Sequence, residues 1–160
     1  MDGILKMVLR LSKWSSIIGE LALTFMMLLT VSDVILRSFK RPIVGTYELV
    51  SLSGAVAIGF SVPITSWMRG HVNVDLLTAR LSQKMRTLFS VATRCLVIIL
   101  FLVMSWRLTN YGMDLHRVKE VSMTLQMPFY PVAYGLGISF FIQCLVLFCD
   151  ILKISGGKYE

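Results

Sequence analysis

Four long apolar blocks limit what this chain can become. They cover roughly residues 15–36, 48–68, 88–110 and 128–152, each 21–25 residues long. A helix needs about 20 residues to cross a hydrocarbon core about 30 Å thick. In lipid only helices and closed barrels satisfy their own backbone hydrogen bonds, and barrel strands give shorter, alternating segments. The blocks therefore predict an all-α membrane protein with four transmembrane helices, a single domain over residues 1–160. The chain is 56% hydrophobic and only 16% charged, against about 25% charged in soluble domains. No polar stretch is long enough to fold as a catalytic domain, so no enzymatic activity is expected.

Block one follows Lys6, Arg10 and Lys13, as the apolar part of a signal peptide would. It contains Glu20 and Asp33, however, and ends in Arg37, Lys40 and Arg41 without a small-x-small cleavage site, so it is expected to stay as a helix. Orientation follows from the loop cations. Nine Lys and Arg lie in the N-terminus, the second loop and the C-terminus, against five in the first and third loops. The positive-inside rule then places both termini in the cytoplasm. The net charge of +7 reads as topology rather than nucleic-acid binding. The second loop has apolar residues at Val74, Leu77, Leu81, Met85 and Leu88, spaced by three and four. That predicts an amphipathic helix over about 72–87, lying in the membrane interface or continuing into block three.

Charges inside the blocks are costly and therefore informative. Glu20 and Arg94 each lie about five to six residues in from the cytoplasmic start of their blocks, so an ion pair between helices one and three is one expectation. Asp33 and Arg107 lie near the opposite face, and Asp33 also has Arg37 one turn on. The alternative is that Arg94 and Arg107, 13 residues apart, snorkel towards opposite surfaces. Small residues at Ser51, Ala55 and Gly59, and at Ala133, Gly135, Gly137 and Ser139, suit close helix packing. Pro63 is expected to bend helix two, and Pro128 and Pro131 to open helix four.

Other chemistry has little to stand on. Cys95, Cys144 and Cys149 are odd in number and lie in apolar blocks, which fits neither a disulfide framework nor a zinc site. His71 and His116 both lie in loops, which disfavours haem ligation within a bundle. No cofactor, metal site, catalytic residue or substrate site is expected.

The loops carry recognisable segments. Arg37 opens RSFKRPIVGTYELVSLSG, with Pro42, Gly45 and Glu48 leading into block two. Block two is followed by MRGHVNVDLL, containing Arg69, His71 and Asp75. Block four is preceded by KEVSMTLQMPFYPVAYGLGISF, containing Ser122 and Pro128. In order and placement these resemble the small membrane subunit of tripartite ATP-independent periplasmic (TRAP) transporters, the DctQ type. The resemblance implies a role rather than a reaction. Such a subunit would act as a scaffold in the bacterial inner membrane, beside a large elevator-type subunit that imports organic acids (dicarboxylates or sialic-acid-like) with sodium. A periplasmic binding protein would deliver the substrate. Its expected partners are that large subunit, the binding protein and phospholipids, with no nucleic acid. Lys40, Arg41, Arg117, Lys119 and Glu120 would then be candidate contacts for the binding protein. Glu48 would cap its own helix or meet a partner, and Arg69 and His71 would anchor lipid head groups or the interfacial helix, with Asp75 available to pair.

A rival reading is a stand-alone proton-coupled multidrug exporter using Glu20, though such exporters are shorter and lack strong orientation bias. A second is a membrane anchor of a respiratory oxidoreductase, against which the absence of an intramembrane His counts.

Overall fold

A computed structural model describes residues 2–68 and 83–155. Four helices make up its regular structure: α1 (Asp2–Ser38), α2 (Thr46–Trp67), α3 (Gln83–Val118) and α4 (Tyr130–Ser155). Each contains a stretch long and apolar enough to cross a membrane, as the apolar blocks require. α1 and α3 overrun their blocks. At 37 and 36 residues they are each about 55 Å long, well beyond a hydrocarbon core of about 30 Å. The extra turns of α1 carry Lys6, Arg10 and Lys13, whose side chains are too polar to count in an apolar block but do not interrupt a helix. Of the expected amphipathic helix, residues 72–82 lie outside the described residues, and residues 83–87 form the first turns of α3.

α4 opens at Tyr130, later than expected. Pro131 occupies its first turn, where a missing N–H costs nothing. Pro128 instead forms an antiparallel bridge with Val121, closing the loop between α3 and α4. Pro63 is buried within α2, which continues past it to Trp67.

The helices pack as a layer in the order α1, α2, α4, α3. α1 lies along α2, α2 along α4, and α4 along α3, with a smaller contact between α1 and α4. α1 and α3 are thus edge helices. A third of the apolar window of α4 is buried, whereas none of that of α3 is. Small residues and hydroxyls make the seams. Gly19 of α1 sits so close to Ala57 and Ser61 of α2 that a Cβ there would come within 2.6 Å of the Ser61 hydroxyl oxygen. The Ser15 hydroxyl donates to the Phe60 carbonyl at 2.7 Å, and that of Ser139 to the Gly59 carbonyl at 2.7 Å. Ser105 of α3 reaches the Gly137 carbonyl at 2.8 Å. These are the close approaches small residues permit in lipid, where apolar surface alone gives helices no reason to associate. Ser51 takes no part. It is exposed and bonds back to the Tyr47 carbonyl at 2.7 Å, as Thr24, Thr30 and Ser32 do within α1. A small apolar core of Val8, Val146 and Cys149, flanked by Leu5, Trp67 and Leu145, closes the end of the layer nearer the chain termini.

Candidate functional site

At the opposite end, the α1–α2 and α3–α4 loops meet in one polar assembly. Asp33, buried near the end of α1, anchors the first loop. One carboxylate oxygen accepts from Arg37 Nε at 2.8 Å and the other from the Ile43 backbone N–H at 2.9 Å. The Thr46 hydroxyl donates to the Ile43 carbonyl at 2.9 Å, and the Arg37 guanidinium lies 5.5 Å from the centre of the Tyr47 ring. The chain leaves α1 through Lys40, in the left-handed region at φ 59°. It enters α2 through Gly45 at φ 80°, where Leu125 from the other loop packs so tightly that a Cβ would collide with it.

Glu48, in the first turn of α2, ties the two loops together. Its carboxylate accepts from the Ser122 hydroxyl at 2.6 Å, the Thr124 N–H at 2.8 Å and the Leu125 N–H at 3.0 Å. The carboxylate is favourably placed at a helix N-terminus, but its partners belong to the other loop. Its main structural role is therefore to clamp loops rather than to cap its own helix. Ser122 is buried and organises the second loop from within. Its N–H donates to the Met127 carbonyl at 2.9 Å, and its carbonyl accepts from the Gln126 N–H at 3.1 Å. Lys119 and Gln126 take left-handed backbone conformations on either side. The motif positions Arg37, Gly45, Glu48, Ser122 and Pro128 thus all fall within this junction. Pro42 lies in the first loop, next to the anchored Ile43. Arg69, His71 and Asp75 lie outside the described residues.

The five candidate contact residues surround the junction. Lys40 and Arg41 project from the first loop, Arg117 from the last turn of α3, and Lys119 and Glu120 from the start of the second loop, all exposed. His116, in the last turn of α3 rather than in a loop, stacks edge-on against Tyr130 at 4.9 Å, beside a shallow pocket that Lys119, Glu120, Val121 and Pro128 complete.

The intramembrane charges pair differently from expectation. Arg94 Nε donates to Asp150 of α4 at 2.6 Å, with both side chains about four-fifths buried. Glu20 and Arg94 do not pair because α1 and α3 occupy opposite edges of the layer. Glu20 is exposed and accepts from the Ser16 hydroxyl at 2.6 Å. Asp33 takes its neighbour Arg37, and Arg107 is exposed on α3. Asp150 was open to detection in the sequence, since it lies near the end of block four, at the same side as the start of block three that holds Arg94. The buried Gln143, which donates to the Ser66 hydroxyl at 2.6 Å, was not among the candidates either. Nor were Thr124 and Leu125, which act through backbone N–H groups that no residue type announces. Cys144 and Cys149 are buried and Cys95 is exposed.

The model of one family, "Tripartite ATP-independent periplasmic transporters, DctQ component", matches residues 26–156 of this chain. That span contains the loop junction and all of α2 and α3. No curated protein and no solved structure matches the chain.

Proposed function

The chain belongs to the DctQ family of small TRAP transporter components, and we propose that it is the scaffold subunit of a sodium-driven importer of organic acids. On this reading it holds the large, moving subunit in place and carries no substrate site of its own. It is not an enzyme. It resides in the bacterial inner membrane with both termini in the cytoplasm, which puts the loop junction on the periplasmic side where the binding protein arrives. Lys40, Arg41, Arg117, Lys119 and Glu120 form the docking rim, and Arg69 and His71 serve as anchors for lipid head groups or the interfacial helix, with Asp75 as their ion-pair partner.

One observation supports this reading most. The Glu48 clamp joins two loops, 74 residues apart in sequence, into one platform whose exposed edge carries four cations and one anion. A preorganised charged platform suits a soluble partner that must dock and leave. Charges at a rim steer encounter more than they add affinity. The experiment is uptake in a strain lacking the gene. Loss of sodium-dependent organic-acid uptake, restored by the unaltered chain, is expected. Neutralising Lys40, Arg41, Arg117 and Lys119 together should slow uptake at limiting binding protein and leave membrane insertion intact. Unchanged uptake after deletion contradicts the scaffold role, and unchanged uptake after neutralisation contradicts the docking rim.

A further inference from the structure

Glu20 lies deep in the layer. It is 13 residues before Asp33, or about 20 Å along α1 from the loop junction. Its neighbour Gly19 lies against Ala57, which is 11 residues, or about 16 Å, into α2. In a hydrocarbon core about 30 Å thick, both measures place the carboxylate near the middle.

It also lies outside the packed side of the helix. At 100° per residue, the buried positions Val8, Ser12, Ser15, Ser16, Gly19 and Asp33 define the side of α1 that faces α2 and α4. Glu20, Thr24, Met27 and Val31 form a stripe about 115° around the helix from that side. All four are exposed. A glutamate has two methylenes and cannot reach either head-group layer from mid-depth. A carboxylate facing lipid there is among the least tolerable arrangements in a membrane. The Ser16 hydroxyl supplies one hydrogen bond and no charge.

Arg107 differs in kind. It also faces away from its neighbour helix, and at 11 residues, or about 16 Å, from the outer end of α3 it lies at a comparable depth. Its long side chain can extend towards the surface. α1, not α3, therefore carries the unmet electrostatic demand.

We propose that the Glu20–Thr24–Met27–Val31 stripe of α1 is the surface on which the large membrane subunit packs. A helix of that subunit brings a basic side chain to the Glu20 carboxylate at mid-membrane. This rests on the scaffold reading above and adds which edge of the layer is occupied and by what chemistry. The apolar outer face of α3, including Val103 and Trp106, is left to lipid.

The test uses the chain co-expressed with its large subunit. A photo-cross-linking residue at Thr24 or Met27 is expected to trap the large subunit, and the same residue at Val103 or Trp106 to trap none. Equal trapping at both edges, or trapping from α3 alone, overturns the proposal while the scaffold reading stands. Glu20→Lys should lower the co-purified large subunit about tenfold or more, because a buried interfacial charge would then face a like charge. Glu20→Gln, which keeps a hydrogen-bonding side chain of the same length, should lose less. An undiminished yield from Glu20→Lys overturns the proposal. Where that variant fails to insert, the cross-linking positions, which leave Glu20 in place, decide the matter. If no large subunit accompanies even the unaltered chain, the scaffold reading itself falls, and this inference with it.

Discussion

The Glu48 carboxylate in the first turn of α2 accepts a hydrogen bond from the Ser122 hydroxyl at 2.6 Å, joining the two loops at one end of the layer. Two further donors, the N–H groups of Thr124 and Leu125, complete the carboxylate's shell. A carboxylate satisfied by three donors holds its loop more firmly than isolated neutral hydrogen bonds would.

Glu48→Ala should therefore release the second loop without unfolding the helices. Amide exchange at Thr124 and Leu125 is expected to accelerate about tenfold or more, with α2 and α4 amides unchanged. Ser122→Ala should act in the same direction but more weakly, at about 1 kcal/mol, because two of the three donors remain. Exchange rates in the loop that do not change would show that Glu48 is not the clamp.

Gly45 combines two constraints, a left-handed backbone and contact with Leu125. Gly45→Ala should cost about 1–2 kcal/mol from the backbone alone, and more from the collision. Adding Leu125→Ala should recover the collision part and leave the backbone part. Thermal unfolding of the single and double variants in detergent separates the two. A double variant no better than Gly45→Ala would mean that the Leu125 contact is not the obstacle.

The Arg94–Asp150 pair joins α3 to α4, and its two side chains are only 22% and 18% exposed. Removing either partner takes a close opposite charge away from the other. Arg94→Ala and Asp150→Ala should each destabilise by up to about 3 kcal/mol. Exchanging the two residues, R94D with D150R, should restore much of the loss. Compensation by any change at Glu20 is not expected, because Glu20 lies at the other edge of the layer.

Gly19 sets how closely α1 approaches α2. Gly19→Leu forces a large side chain against the Ala57 carbonyl and should cost about 1–3 kcal/mol. Cross-linking between cysteines placed on α1 and α2 would register the separation directly. An undiminished cross-link yield would show that the helices have room to spare.

The number of spans was legible because about 20 apolar residues in a row have few other uses. The helix order was not. In a lipid-facing layer the outer faces of α1 and α3 carry large apolar residues of their own, so an apolar side does not mark which face meets a neighbour. That is why Arg94 was matched by depth to Glu20, when Asp150 lay at the same end of the adjacent helix. The junction was half legible. Arg37, Gly45, Glu48, Ser122 and Pro128 stood out as motif positions. That Glu48 reaches Ser122 depends on two loops converging, which neither loop encodes alone. The Thr124 and Leu125 donors are backbone groups, present at nearly every residue, and only the folded loop singles them out.

The most direct measurement of the scaffold role is reconstitution into proteoliposomes under a sodium gradient. This chain, its large subunit and the binding protein would be tested together, and then with each left out in turn. Organic-acid uptake is expected only from the complete set, with this chain alone inactive. Uptake by the large subunit and binding protein without this chain, or transport by this chain alone, would contradict the account.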